Sequence, residues 1–87
     1  MDSGEGFLIR IGPPWLTKYE KSRIIGARAL QIALGAPILI PPDSVGSRDP
    51  IEIAARELEL GVLPMIIRRW TPGGDYQDIP IRYLEVR

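Results

Sequence analysis

The stretch TKYEKSRIIGARALQIALG, residues 17–35, most constrains how this chain of 87 residues can fold, because both ends of a helix are specified in it. Thr17 and Glu20 form a capping box, in which the threonine hydroxyl accepts from the Glu20 amide and the carboxylate accepts from the Thr17 amide. Gly35 can adopt the left-handed conformation that closes a helix, and a proline two residues later cannot continue one. The sequence therefore predicts a helix over about residues 17–34.

At 100° per residue, this helix has two faces on which apolar and small residues predominate. One face carries Tyr19, Ser22, Ile25, Gly26, Ala29, Leu30 and Ala33, and the other carries Ile24, Ala27, Gln31 and Leu34. A domain of this size buries only roughly 60% of the surface that its unfolded chain exposes. The chain has too little material to cover both faces, so we expect something outside the chain to cover one of them.

A second helix is predicted over about residues 50–60, with Asp49 as its N-cap, Pro50 in its first turn and Gly61 at its end. Helical periodicity predicts an inward face of Ile51, Ala54, Ala55 and Leu58, with Ile53 and Leu60 on the other side. Like the first helix, this one carries apolar residues where a lone domain would favour charge.

The sequence of residues 63–70, LPMIIRRW, has the composition of a strand, and TPGGD supplies the turn that reverses it. Residues 76–83 are expected to return beside it, although Pro80 cannot donate to a ladder and marks an edge or an early end. Alternation projects the neighbours Arg68 and Arg69 to opposite faces. We therefore expect at least one of them to meet carboxylates, carbonyls or phosphates of a partner.

Together these elements predict an α+β fold with a mainly helical core, two capped helices, short extended segments and a C-terminal β-hairpin. The segment FLIRI at residues 7–11 could supply a further short strand. We expect residues 1–14 to form a flexible N-terminal arm, followed by a single domain over residues 15–87.

Composition excludes most enzyme classes. Eleven basic and eleven acidic side chains give no net charge, so the chain lacks the basic excess of a protein that holds nucleic acid alone. It has no His and no Cys, so no catalytic residue, metal site or cofactor is predicted, and a small hydrolase is disfavoured. Carboxylate pairs such as Asp75 with Asp78, or Glu57 with Glu59, are expected on solvated surface. No segment approaches the ~20 apolar residues that span a bilayer, so a soluble, cytoplasmic protein is predicted.

Two stretches resemble a known family. LTKYEKSRIIGARALQIALGAP at residues 16–37 and DPIEIAARELELGVLPMIIRRWTPGG at residues 49–74 are similar to the RNA polymerase subunit called K in archaea. That subunit is equivalent to the smallest subunit shared by the eukaryotic nuclear polymerases and is related to bacterial omega. The resemblance covers roughly residues 15–84, and the ordered combination of blocks is far more specific than any one of them. The chain departs from the pattern at Ser22, where alanine is usual, and in its N-terminal arm, where about fifteen residues precede the core and eukaryotic members carry a long acidic arm.

The resemblance implies an omega-like fold and a non-catalytic subunit of DNA-dependent RNA polymerase. Such a subunit clasps the largest subunit, including its C-terminal tail, promotes assembly and lies where the stalk docks at the clamp base. It would contact DNA or RNA only through the holoenzyme, and no cofactor is implied. The residues expected to bind the partner are Tyr19, Arg23, Ile24, Arg28, Gln31, Arg68 and Arg69.

Alternatives remain for several of these residues. Tyr19 and Ile24 could belong to the chain's own core, and Arg28 could be a solvated cation whose ion pairs contribute only ~0–1 kcal/mol. A different functional class is also open, in which the chain is a free-standing nucleic-acid-binding module that uses the arginine-rich hairpin. Affinity for single-stranded RNA that falls as salt rises would indicate that alternative.

Overall fold

The computed structural model of the protein describes residues 7–87. Its elements are, in chain order, α1 (Lys18–Ala33), a 3₁₀ helix (Pro42–Ser44), α2 (Pro50–Glu59), β1 (Ile66–Trp70), β2 (Tyr76–Pro80) and a second 3₁₀ helix (Ile81–Tyr83). The predicted α+β fold, with two helices and a C-terminal hairpin, is confirmed. Part of the arm predicted over residues 1–14 lies outside the described residues.

The chain divides into two compact units. The helical unit is Thr17–Leu63 and contains α1, α2 and the segment between them. The hairpin unit combines residues 7–16 with Pro64–Arg87, so it joins the first described residues to the last. The division of the chain into an arm and one domain stays a prediction.

The start of α1 follows the capping box read from the sequence. The Glu20 amide donates to Thr17 Oγ1 at 3.2 Å, and the Thr17 amide donates to Glu20 Oε1 at 3.0 Å. At the other end, Gly35 has a φ of +103°, in the left-handed region that few other residues tolerate. Local chemistry therefore sets both ends of this helix.

The start of α2 is capped by Asp49, whose Oδ1 accepts from the Ile51 amide at 3.0 Å. Its buried residues are Ile53, Ala54, Glu57 and Leu58. The prediction that Ile51 faces inward and Ile53 outward was wrong, because Ile51 is exposed and Ile53 is buried. The buried face of the helix is turned so that Glu57, rather than Ile51, points into the interior.

The core of the helical unit is made by one side of α1, one side of α2 and the segment that joins them. Its buried apolar residues are Ile24, Ala29, Ile40, Ile53, Ala54, Leu58 and Leu63. Burial of each large aliphatic side chain contributes about 1.5–3 kcal/mol. Most of α1 on the side away from this core is exposed.

The hairpin unit is built on an antiparallel pair in which Arg68 lies opposite Asp78 and Arg69 opposite Gln77. The predicted alternation is confirmed, because Arg69 is buried while Arg68 is exposed. The β2 strand ends at Pro80, which confirms the expected early end. The buried apolar residues of this unit are Leu16, Ile79, Ile81 and Leu84.

Residues 7–11 do not form the strand that their composition suggested. The side-chain amide of Gln77 bonds to their backbone instead: Nε2 donates to the Leu8 carbonyl at 2.7 Å, and Oε1 accepts from the Arg10 amide at 2.8 Å. A single side chain thus supplies the donor and the acceptor that a neighbouring strand would otherwise offer.

Candidate partner-binding site

The centre of the helical unit is a buried ion pair between Arg28 of α1 and Glu57 of α2. Arg28 Nε lies 2.6 Å from Glu57 Oε1, and Nη2 lies 3.2 Å from Oε2. Glu57 is fully buried and Arg28 is 6% exposed. This fork-to-fork geometry gives two charge-assisted hydrogen bonds and fixes the rotation of each helix about its axis.

Backbone and side-chain groups complete this network. Glu57 Oε2 also accepts from the Leu39 amide at 2.8 Å, and Arg28 Nη2 donates to the Pro37 carbonyl at 2.8 Å. Arg28 Nη1 donates to Gln31 Oε1 at 3.1 Å. The pair therefore holds three parts of the unit together: α1, α2 and the segment between them.

The two charges of the pair stabilise each other. Burial raises the pKa of Glu57, but the hydrogen bonds from Arg28 and from the Leu39 amide, with the charge of Arg28, outweigh it, so that pKa falls below its usual value. The hydrogen bond to Glu57 raises the pKa of Arg28 despite burial. Both groups are therefore ionised at neutral pH.

The expectation that Glu57 lies on solvated surface was wrong, and so was the alternative that Arg28 is a solvated cation. Both side chains lie on buried helix faces, where only a charged partner compensates for the loss of water. A signal was present in the sequence, since Glu57 falls between Ala54 and Leu58 on the apolar stripe of α2. Glu59, by contrast, is exposed and pairs with Arg56.

The side of α1 away from the core is defined here as the open face: Tyr19, Ser22, Arg23, Gly26, Ala27, Leu30, Ala33 and Leu34, all exposed. Tyr19 is 70% exposed, Leu30 60% and Leu34 80%. A methyl group added at Gly26 would meet no described atom within 4 Å beyond the helix backbone and its chain neighbours. The open face is thus a strip of small residues bordered by large apolar ones.

One cation lies on the open face near its N-terminal end. Arg23 Nη1 donates to the Tyr19 hydroxyl at 3.4 Å, and its guanidinium carbon lies 5.7 Å from the centre of that ring. The arginine and the tyrosine therefore form one surface feature, with the guanidinium beside the aromatic ring.

The seven predicted partner-binding residues do not share one surface. Tyr19 and Arg23 lie on the open face, and the exposed Gln31 bonds to the buried ion pair. Ile24 is buried, so it belongs to the chain's own core as well as to the predicted set. The role of these residues in partner binding stays a prediction. The set omitted Leu30, although helical periodicity places it with Tyr19 on one face.

In the hairpin unit, Arg69 is buried against the backbone of the N-terminal segment. Its Nη1 donates to the carbonyls of Ile11 at 3.0 Å and Pro13 at 2.7 Å, and its Nη2 donates to the carbonyl of Trp15 at 2.9 Å. Gly12 has a φ of +80°, and an added Cβ would lie 2.7 Å from Arg69 Nη1. We expected at least one of the two arginines to meet acceptors of a partner. The carbonyls that Arg69 binds belong instead to its own chain.

Arg68 lies on the exposed face of the hairpin and is paired across the strands with Asp78. Nε lies 2.7 Å from Oδ1 and Nη2 lies 3.1 Å from Oδ2. Its guanidinium carbon is 4.2 Å from the ring centre of Tyr76 and 5.8 Å from that of Trp70. The hydrogen bond from Arg68 lowers the pKa of Asp78. With Arg68 neutralised and Arg69 buried, the hairpin offers little support for a free-standing nucleic-acid module.

Residues 7–87 contain no group of three or more acidic side chains placed to hold a metal ion. None of their helices combines the length and the apolar composition needed to cross a membrane.

Comparison with known proteins identifies the family. A family model described as RNA polymerase Rpb6 matches residues 10–65. The chain is 62% identical over 79 residues to the DNA-directed RNA polymerase subunit Rpo6 of Thermofilum pendens, an alignment that covers 91% of this chain and 96% of that relative. It is 50% identical over 76 residues to the same-named subunit of Aeropyrum pernix, covering 87% and 85%.

A eukaryotic relative is also similar. The DNA-directed RNA polymerases I, II, and III subunit RPABC2 of Saccharomyces cerevisiae is 43% identical over 77 residues, which cover 88% of this chain but 48% of the relative. This chain therefore spans about half the length of that eukaryotic protein. The resemblance drawn from the sequence blocks is confirmed, and the chain belongs to the RNA polymerase Rpb6 family.

Proposed function

We propose that this protein is a non-catalytic subunit of DNA-directed RNA polymerase that clasps the largest subunit, including its C-terminal tail. Its role is to promote the assembly and stability of the enzyme and to support attachment of the stalk and clamp. Membership of the family and the names of the archaeal relatives support a polymerase role. The open face of α1 is the observation that carries the clasp.

A surface of this kind favours protein–protein contact. Three large apolar side chains, Tyr19, Leu30 and Leu34, are exposed along one helix, and contiguous exposed apolar surface marks interaction sites. Their burial would yield roughly 25 cal/mol per Å² of apolar surface removed from water. Gly26 lies between them with open space above it, so a partner could approach the helix backbone closely.

The buried ion pair holds α1 in a fixed position before a partner binds to the open face. Arg28 and Glu57 hold α1 against α2 from behind, so little ordering entropy remains to be lost when a partner covers the exposed side. A small protein that binds two distant segments of one large chain also lowers the entropic cost of closing the loop between them. That is the physical basis of a clasp.

Within this proposal, the seven predicted residues divide by role. Tyr19, Arg23 and Gln31 contact the partner directly, because their side chains are exposed on α1. Ile24 and Arg28 hold α1 from its buried side, and Arg69 holds the N-terminal segment. Arg68 belongs to the exposed face of the hairpin. DNA and RNA are contacted only through the holoenzyme, no membrane is involved, and the protein acts in the cytoplasm.

A larger side chain at the centre of the open face tests the clasp. Gly26→Leu adds a side chain where the free chain has space, so the fold tolerates it while the partner is displaced. We expect recovery of the variant in purified polymerase to fall by about tenfold, which corresponds to ~1.4 kcal/mol of lost affinity. Glu52→Leu places the same side chain at an exposed position on α2 and serves as the matched control.

Two results would overturn the clasp: failure of the native chain to co-purify with polymerase, or recovery of Gly26→Leu equal to that of the control. The charge reversal Arg28→Glu is a poor test of the surface. It would bury a second carboxylate beside Glu57, and loss of assembly could then follow from unfolding.

A further inference from the structure

One edge of the hairpin has unpaired backbone groups. The Thr71 amide donates to the Asp75 carbonyl at 2.8 Å, and the Ile81 amide donates to the Met65 carbonyl at 3.0 Å. Hydrogen-bonded pairs alternate in an antiparallel ladder. The backbone amides and carbonyls of odd-numbered residues in β1 therefore point toward β2, and those of even-numbered residues point away from it. The amides and carbonyls of Ile66, Arg68 and Trp70 therefore point outward. Within residues 7–87, no strand pairs with that edge.

The edge of β2 is partly closed at its two ends. Pro80 has no amide hydrogen, and the Tyr76 amide already donates to Asp75 Oδ1 at 2.9 Å. The Tyr76 carbonyl accepts from Arg10 Nη2 at 3.4 Å. Natural sheets protect exposed edges with proline, bulges, charged side chains or short strands, and β2 has the proline. Ile66–Trp70 is short and carries two arginines, but it contains no proline and its outward amides and carbonyls are open to a further strand.

Two prolines limit the length of the open edge. Pro64 lies two residues before β1, and Pro72 lies two residues after it. The accessible ladder is therefore the five residues of β1, which offer three outward amides and three outward carbonyls. This is the length of a short recognition segment.

The exposed side chains beside this edge indicate the chemistry of an added strand. Ile66 and Trp70 are 62% and 59% exposed. Arg68 uses Nε and Nη2 on Asp78, which leaves Nη1 as a donor with no hydrogen bond to described residues. A matching strand therefore carries a hydrogen-bond acceptor beside Arg68, with apolar residues two positions to each side.

A second copy of the chain is a poor occupant of the edge. A two-fold antiparallel pairing of two β1 strands centred on the open edge sets Arg68 opposite the Arg68 of the other copy. Each spare Arg68 Nη1 would then lie beside another donor rather than an acceptor, so this pairing gains no hydrogen bond at its centre. The spare donor on the edge thus favours a different polypeptide, with a hydrogen-bond acceptor at the central position.

We infer that the open edge of β1 receives an extended segment of another polymerase subunit, about five residues long, which adds a third strand to the sheet. The segment has a side chain that accepts a hydrogen bond beside Arg68 and apolar residues beside Ile66 and Trp70. This inference rests on the proposed function, because the segment belongs to the same assembly. It does not depend on the open face of α1.

Residue-resolved amide exchange tests the added strand. The full chain is exposed to deuterium oxide either free or assembled into polymerase, then separated under quench conditions and analysed by fragmentation mass spectrometry. In the free chain we expect the amides of residues 66, 68 and 70 to exchange faster than those of 67 and 69, because only the latter pair with β2. On assembly, the three outward amides should slow by about tenfold or more.

A matched pair of substitutions isolates the backbone contribution. Arg68→Pro removes the central outward amide without removing a bond to β2, whereas Arg68→Ala removes the same side chain and keeps the amide. We expect Arg68→Pro to be recovered in polymerase about fivefold less than Arg68→Ala, the effect of one lost backbone hydrogen bond. Ile66→Pro, compared with Ile66→Ala, repeats the test if Arg68→Pro does not fold.

The outcomes separate this inference from the clasp. Slowed outward amides together with a deficit of the proline variants support the added strand. Assembly in which residues 66, 68 and 70 still exchange rapidly, or equal recovery of the proline and alanine variants, overturns the added strand and leaves the clasp intact. If the amides of residues 66, 68 and 70 become protected in the isolated chain as its concentration rises, the edge pairs with a second copy, and the added strand from another subunit is also overturned. Failure of the chain to assemble overturns both proposals.

Discussion

Arg28 and Glu57 meet in the interior of the helical unit, with Nε 2.6 Å from Oε1 and the glutamate wholly buried. They join the two helices and, through the Leu39 amide, the segment between them. The pair costs desolvation, and apolar residues in its place would be at least as stable in many proteins. What the pair provides is orientation: it sets which side of α1 faces outward, and that side is the open face.

Breaking this pair on one side should cost more than replacing both partners. We expect Arg28→Met or Glu57→Met alone to lower the free energy of unfolding by about 3 kcal/mol, because each leaves a buried charge without its partner. The double variant should recover most of that loss, since it buries no unpaired charge. Denaturant unfolding of the three variants and the native chain gives the coupling energy. Additive losses would contradict this account of the pair.

Acid should destabilise the helical unit through Glu57. Its pKa is lowered in the folded chain, so its contribution to stability is fully present above the unfolded value of about 4.3 and is lost as pH falls through the folded pKa. We expect the unfolding free energy to fall as pH decreases below about 4.3, and Glu57→Gln to flatten this dependence. Glu59→Gln, at an exposed position of the same helix, should retain the acid sensitivity.

The turn at Gly12 should be intolerant of any side chain. Gly12→Ala would require a left-handed conformation and would bring its Cβ to 2.7 Å from Arg69 Nη1. Gly46→Ala is the matched control, because that residue has a similar φ of +73° but an added Cβ would meet no described atom within 4 Å beyond its chain neighbours. In thermal unfolding, each variant should lose about 1 kcal/mol of unfolding free energy because of backbone strain. Gly12→Ala should lose more, because its Cβ also meets Arg69. Equal losses would show that Arg69 simply moves aside.

Alanine at Gly26 should stabilise the isolated chain. Gly26 lies inside α1, and a Cβ there meets no atom of residues 7–87 within 4 Å beyond the helix backbone and its chain neighbours, so Gly26→Ala gains helix propensity of about 1 kcal/mol. Gly35→Ala should do the reverse, because its φ of +103° disfavours alanine although the space is equally open. Thermal unfolding of the free chain distinguishes the two. A native glycine that weakens its own helix is consistent with close approach by a partner.

The elements with local causes followed from the sequence. The capping box of Thr17 and Glu20, the Asp49 cap and the projection of Arg68 and Arg69 to opposite faces all appear as predicted. Each depends on residues only a few positions apart, or on the two-residue period of a strand. The family resemblance was also available from the sequence, because it rests on the order of residues.

Tertiary structure alone decided which of these side chains face solvent. Arg28 and Glu57 are 29 residues apart, and Arg69 is 54–58 residues from the carbonyls that it binds. Periodicity places a charged residue on a face but does not say whether an opposite charge or a carbonyl from a distant segment will meet it. Burial of an ion is tolerated only when that partner arrives, so interior and surface arginines differ by contacts that no local pattern encodes.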